Sequence, residues 1–135
     1  MARILRMPSE AELEPGTVRD FVELLFAVYR AADRPTLREI SKAVEEGDYR
    51  GTASTETVRR MLRGDSVPRW ESVEAVFEAL CKLARWDPDG QWKIDGKSGV
   101  ARTVMKRRWN RALDEPDYTY GPPPEQYAFS DEPPF

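Results

Sequence analysis

The chain contains no histidine and a single cysteine, Cys81. These two scarcities remove much of enzyme chemistry: a His-based triad, a His-held haem, and any zinc site built from His or from several thiolates. One cysteine also excludes an internal disulfide. Neither a GxxxxGK[ST] phosphate loop nor a GxGxxG turn occurs. No stretch approaches the roughly 18 uncharged apolar residues that a membrane span requires. The basic start, Met1-Ala2-Arg3-Ile4-Leu5-Arg6, is interrupted by Arg6 and Pro8 before any apolar signal segment forms. The expected location is therefore the cytoplasm. The 24 acidic residues are spread too thinly for any two to stand out as a catalytic pair. Neither an enzyme, a metal site nor a cofactor is expected.

What is present fits one domain with a modest core, since the chain has 135 residues. Its net charge of −3 conceals an asymmetry. Residues 114–135 carry six acids and no Lys or Arg, so residues 1–113 hold all 21 basic residues against 18 acidic ones. A mildly basic body joined to an acidic tail is a different object from a uniformly acidic protein. Of the cations, 16 are Arg and 5 are Lys. Arg suits bidentate contact with phosphate or guanine edges, although codon usage in a GC-rich genome produces the same excess.

The body reads as helices. Pro15-Gly16 closes a polar leader, 1–16, and Thr17 stands three residues before Asp20 in a capping-box-like start. Val18, Phe21, Val22, Leu25, Val28 and Tyr29 then form one apolar stripe. A sharper start follows at Thr36, where Glu39 completes a capping box. Leu37, Ile40 and Val44 form its apolar face and Gly47 ends it. Residues 47–53 are loop, and Ser54 is the next expected N-cap. From Thr55 to Arg63, Val58, Met61 and Leu62 point inward while Thr55, Glu56, Arg59, Arg60 and Arg63 point outward; Gly64 stops the helix. A longer helix from about residue 70 buries Val73, Val76, Phe77, Leu80, Leu83 and Ala84, with Cys81 beside the stripe as a small packing residue. Residues 86–97 are expected to be a loop that packs Trp92 down. Asp95-Gly96 is a hairpin signal, but no partner strand is evident after it. A last helix is expected from about Ser98 to Leu113. The fold class is thus all-α, a five- to six-helix bundle over 17–113, followed by an extended tail over 114–135 that holds six of the eleven prolines.

Two short capped helices, 36–46 and 54–63, precede a turn and a longer amphipathic helix. A helix that begins with small polar residues and carries arginines outward fits the DNA major groove, about 12 Å wide. The segments Thr36-Leu37-Arg38-Glu39-Ile40, Ser54-Thr55-Glu56-Thr57-Val58-Arg59-Arg60-Met61-Leu62-Arg63-Gly64 and Val67-Pro68-Arg69-Trp70-Glu71-Ser72-Val73-Glu74-Ala75-Val76, with Ala79-Leu80, resemble the phage-repressor-type (Xre-like) helix-turn-helix family. The similarity is to small members common in actinomycetes. Trp109-Asn110-Arg111-Ala112 resembles the helix that often follows that module. The resemblance covers about residues 17–113. It implies a five-helix fold whose third helix enters the major groove, and hence a sequence-specific DNA-binding transcriptional regulator. On that resemblance Thr55, Glu56, Arg59 and Arg60 face bases and backbone. Thr36 and Arg38 approach phosphate from the second helix, and Arg63, Ser66 and Arg69 lie near the turn that touches the other strand.

The sequence also departs from the family pattern. The 47–53 connection is several residues longer than the usual tight turn. Glu56 puts a carboxylate where a neutral polar residue is more usual; it either accepts from a cytosine amino group or repels the backbone. From Thr36 to Arg69 there are seven cations and six anions, so modest DNA affinity is expected from one copy, and a homodimer stays open as the way to raise it.

The last helix is more basic: Lys97, Arg102, Lys106, Arg107, Arg108 and Arg111, with no Asp or Glu from 98 to 111. It reads as a second phosphate-contacting surface, a dock for an acidic partner such as the chain's own tail, or a solvated face. The tail carries Tyr118, Tyr120, Tyr127, Phe129 and Phe135, and disordered linkers seldom hold so many aromatics. A strap packed on the bundle and a segment that binds another protein are both open. A protein-protein interaction module, an adaptor or antitoxin-like component on the same scaffold, is the alternative to the DNA-binding reading.

Overall fold

Helix α1, Thr17–Ala31, packs against three of the four helices that follow it among the described residues. The computed structural model describes residues 5–94 and 97–114. Within them lie α1, α2 (Leu37–Glu46), α3 (Thr55–Arg63), α4 (Trp70–Ala84), strands β1 (Gln91–Ile94) and β2 (Lys97–Val100), and α5 (Ala101–Asp114). The 114–135 tail is outside the described residues beyond Asp114. The architecture is mostly helical, as expected, with five helices among the described residues.

The apolar stripes become one core. Phe21, Val22, Leu25, Phe26 and Val28 of α1 meet Val73, Val76, Phe77 and Leu80 of α4, all at 0% exposure. A fully buried side chain of this size stabilises the fold by about 1.5–3 kcal/mol relative to leaving it in water. Ile40 and Val44 of α2, with Val58, Met61 and Leu62 of α3, close one end; Ala101, Met105 and Ala112 of α5 close the flank of α1. Cys81 is buried in this packing, and burial pushes its thiol up to about 12. Leu83, expected inside, is 43% exposed, because its position has turned past the edge of the α4 stripe.

Local chemistry sets most helix ends where the sequence places them. Thr36 Oγ1 accepts from the Glu39 amide at 3.0 Å, and the Thr36 amide donates to Glu39 Oε1 at 2.8 Å, a complete capping box. Ser54 Oγ accepts from the Thr57 amide at 3.1 Å and so caps α3. Gly64 ends α3 at φ 75°, where a side chain would be strained. At α1 the expectation fails: Gly16 occupies the N-cap position with no side-chain cap, and Thr17 is the first helical residue.

The 86–97 region is also corrected. Residues 91–94 pair antiparallel with 97–100, in register Gln91↔Val100 to Ile94↔Lys97. Asp95-Gly96 separates the paired ends; those two residues are outside the described ones. The second strand, Lys97–Val100, takes Ser98–Val100 away from the expected last helix, which begins at Ala101 instead of Ser98. The hairpin does hold Trp92 down, edge-on to Phe77 with ring centroids 5.8 Å apart and to Trp86 at 4.9 Å.

The leader, although polar in sequence, packs. Ser9 and Glu12 cap each other across one turn, Pro8 is buried, and Leu5, Met7 and Leu13 lie against the core. Arg19 of α1 holds the leader by donating to the Leu13 carbonyl at 2.7 Å.

Candidate nucleic-acid interface

The residues singled out by the sequence fall into three groups on the structure. Thr55, Glu56, Arg60 and Arg63 are exposed on the outer side of α3, with Arg59 half-exposed beside them. Ser66 and Arg69 are exposed on the 65–69 connection that leads into α4. Arg38 is exposed and Thr36 half-buried at the start of α2, which packs against α3.

Glu56 joins its own group directly. It accepts from Arg59 Nε at 3.0 Å and Nη2 at 2.7 Å, and from Arg60 Nε at 2.9 Å. Hydrogen bonding to Arg59 is the chief reason its carboxyl is lowered to about 2, with Arg60 helping. The spacing explains the clasp: residues three and four apart on a helix are neighbours. All three groups are exposed, so the pairing contributes little to stability, but it fixes where two guanidinium groups point. Arg63 pairs more loosely with Asp65, at 3.6 Å. Glu12 of the leader is a further acidic neighbour of Arg63, and the sequence pattern does not place it there. The side chains of Arg38, Thr55, Ser66 and Arg69 have no partner among the described residues.

Thr36 differs. Its hydroxyl accepts from Glu39, and its amide is taken by the Glu39 carboxylate. The start of α2 therefore presents a carboxylate beside Arg38, and Arg38 is the cation this end has to offer.

The long 47–53 connection does not leave α3 loose. Gly51 is buried against the first turn of α4, where a Cβ would overlap the Glu71 carbonyl. The Ala53 carbonyl accepts from Ser41 Oγ of α2 at 2.8 Å, and Ala53 itself is 7% exposed. The Tyr49 ring lies over Gly47, and burial raises its hydroxyl above the usual phenol value. The connection is a packed spacer that ties α2, α3 and α4 together. Gly51 is a positioning residue that no local pattern marks, because its constraint comes from backbone twenty residues away.

On the other side, the Trp109 indole donates to the Pro68 carbonyl at 2.7 Å and its ring lies 5.6 Å from that of Trp70. This contact fixes the 65–69 connection, and with it Arg69, to α5. The Leu13 side chain sits against the C-terminal cap of α3, where a Cβ on Gly64 would meet it at 2.7 Å. Helix α3 is thus packed directly on α1 and α2, its cap meets the leader, and the connections on either side of it are fixed to α4 and α5, while its outer side stays open.

The basic face of α5 is less uniform than its sequence. Arg102 is turned inward to Glu74 at 2.9 Å, Glu78 at 3.1 Å and Asp89 at 2.8 Å. Arg108 donates to the Asp20 carbonyl of α1 at 2.7 Å. Lys106 stands over the Trp70 ring at 5.6 Å, and Arg107 and Arg111 are exposed. Among the described residues no cluster of three or more potential metal ligands occurs, and no helix is long and apolar enough to cross a membrane. Comparison with family models, with curated proteins and with solved structures returns no match.

Proposed function

We propose that the chain is a sequence-specific DNA-binding transcriptional regulator of the phage-repressor helix-turn-helix type, which inserts α3 into the major groove of duplex DNA. The observation that carries this reading is the open outer side of α3. Arg59, Arg60 and Arg63 project from a short capped helix braced by its neighbours. Among the described residues, Arg59 and Arg60 bond only to Glu56 of the same helix, and Arg63 only loosely to Asp65 just beyond its end. In this reading Thr55, Glu56, Arg59 and Arg60 meet base edges and adjacent phosphates. Arg63, Ser66 and Arg69 follow one strand's backbone, and Arg38 with Thr36 approaches the other. Glu56 then has two roles. It aims Arg59 and Arg60, and it can accept from a cytosine amino group while rejecting sites that place only acceptors there. If two copies bind together, their α3 helices lie roughly 34 Å apart, one helical turn of DNA.

A second reading, an interaction module with a protein partner, is favoured by the Glu56 clasp. It offsets part of the α3 charge before any phosphate arrives.

A salt series with a randomised duplex pool decides between them, comparing the wild type with an Arg59→Ala/Arg60→Ala double variant. Each phosphate neutralised adds about 0.9 to the slope of log affinity against log salt. A regulator loses binding as salt rises, and the double variant loses most affinity and about one to two units of slope. Absence of duplex binding by the wild type at low salt would leave the protein-partner reading.

A further inference from the structure

A groove opens where α5 ends. Val67, Pro68, Trp70, Trp109 and Leu113 line it, and Arg69 and Glu71 stand on its rim. Two tryptophans, their rings tilted 52° to each other, stand beside a proline and make an angled apolar surface, and the nearby Lys106 ammonium over Trp70 adds positive charge. Leu113, 49% exposed, is next to the last described residue, so the chain leaves α5 at the groove itself.

The segment that follows has the complementary chemistry. Residues 115–124 read Glu-Pro-Asp-Tyr-Thr-Tyr-Gly-Pro-Pro-Pro, and 115–135 contain five acids and no Lys or Arg. Proline-rich chain docks readily in aromatic-lined grooves, since little conformational freedom is lost on binding. Covalent attachment supplies a high effective concentration at the nearest such groove. A second apolar hollow, around Leu24, Trp86 and Trp92, borders the hairpin from which α5 starts. A helix of 14 residues separates the two by about 20 Å. The two linings carry the same charge, Arg69 with Glu71 here and Lys93 with Asp87 there, so proximity selects the Trp70–Trp109 groove, and Lys106 over Trp70 adds one cation beside it.

We propose that residues 115–124 fold back into this groove, setting Tyr118 and Tyr120 against Trp70 and Trp109 and the acids of the tail beside Arg69 and Lys106. Arg69 belongs to the surface assigned above to duplex backbone, so the docked tail competes with DNA for it. That consequence rests on the DNA-binding reading; the docking does not.

The test uses the full chain and a Tyr118→Ala/Tyr120→Ala variant. Indole N–H resonances are recorded for both, together with affinity for the randomised duplex pool at low salt. Docking predicts that the Trp70 and Trp109 signals move, independently of protein concentration, while those of Trp86 and Trp92 stay. It also predicts that the variant binds duplex severalfold more tightly. Unmoved Trp70 and Trp109 signals overturn the proposal. So does a shift that appears only as concentration rises, which would assign the groove to a second copy. If the indoles move while neither protein binds duplex, the docking stands and the DNA-binding reading falls.

Discussion

Two arginine-rich helices of this chain use the same side chain in opposite ways. On α3, Arg59 and Arg60 share one carboxylate from their own helix, Glu56, in the open. On α5, Arg102 is 25% exposed and reaches three carboxylates on other parts of the chain, two on α4 and one in the 87–90 turn. A pair made within one helix is already close in the unfolded chain and adds little to tertiary structure. A guanidinium that joins segments 13 to 28 residues away adds attraction only when the fold brings them together. The comparison separates an arginine that ties distant segments together from arginines paired only within their own helix.

The largest expected effects come from the positioning contacts. Gly51→Ala forces a methyl group into the Glu71 carbonyl, and backbone on both sides cannot yield as a side-chain tip can. A loss of about 2–3 kcal/mol in urea unfolding is expected, with weaker duplex binding in proportion to any tilt of α3. Unchanged stability would mean that the 47–53 connection does not brace α3.

Arg102→Ala comes next, at about 2 kcal/mol, because Glu74, Glu78 and Asp89 would then face one another without their cation. This interaction also has a pH signature. Hydrogen bonding to Arg102 lowers the Asp89 carboxyl below its ordinary value of 3.8. The folded state then binds the proton less readily than the unfolded one. The contribution is complete above about pH 4 and fades as pH falls below it. Acid unfolding of the Arg102 variant should lack that component, and an identical acid profile would remove the assigned role.

Glu56→Gln tests the other arginine set. With the carboxylate lowered to about 2, its pairing contributes between the unfolded value near 4.5 and neutral pH, and disappears as pH falls toward 2. At neutral pH the variant should unfold nearly as the wild type does, yet bind duplex more tightly and discriminate less between sequences. A clear loss of stability with no change in binding would place Glu56 among the fold-holding groups instead.

The smallest effect concerns Arg85, which ends α4 in the left-handed region at φ 61°. Here the side chain serves neither purpose and strains the backbone. Arg85→Gly should raise stability by about 1 kcal/mol without altering duplex binding. Thermal unfolding would register the gain.

What was legible in the sequence was whatever local rules determine. The Thr36–Glu39 box, the Ser54 cap, Gly64 and the apolar stripes of α1, α3 and, except for Leu83, α4 appear where the pattern puts them, because each needs only neighbours within a turn or two. Strand β2 is not legible in the sequence because Lys-Ser-Gly-Val has no alternation and no run of β-branched residues. Its pairing with Gln91–Ile94 supplies what propensity does not. The packing of the leader is not legible either, because Leu5, Met7 and Leu13 lack helical or strand spacing. For the candidate interface, the outward set on α3 was readable, but its state was not. Its position on the helix suggests a role for Glu56 toward DNA, whereas its nearest partners are the arginines beside it. Gly51 and Arg102 act through backbone and carboxylates distant in sequence, and no spacing rule points to them.

The central claim is that the outer side of α3 is the surface that meets duplex DNA. Backbone amide shifts recorded while a mixed-sequence duplex is titrated into the full chain test it most directly. The account predicts that the changes concentrate at Ser54–Arg63 and at 65–69, with smaller ones near Arg38. Changes confined to the Lys106–Arg111 face of α5, with Ser54–Arg63 unmoved, would contradict it.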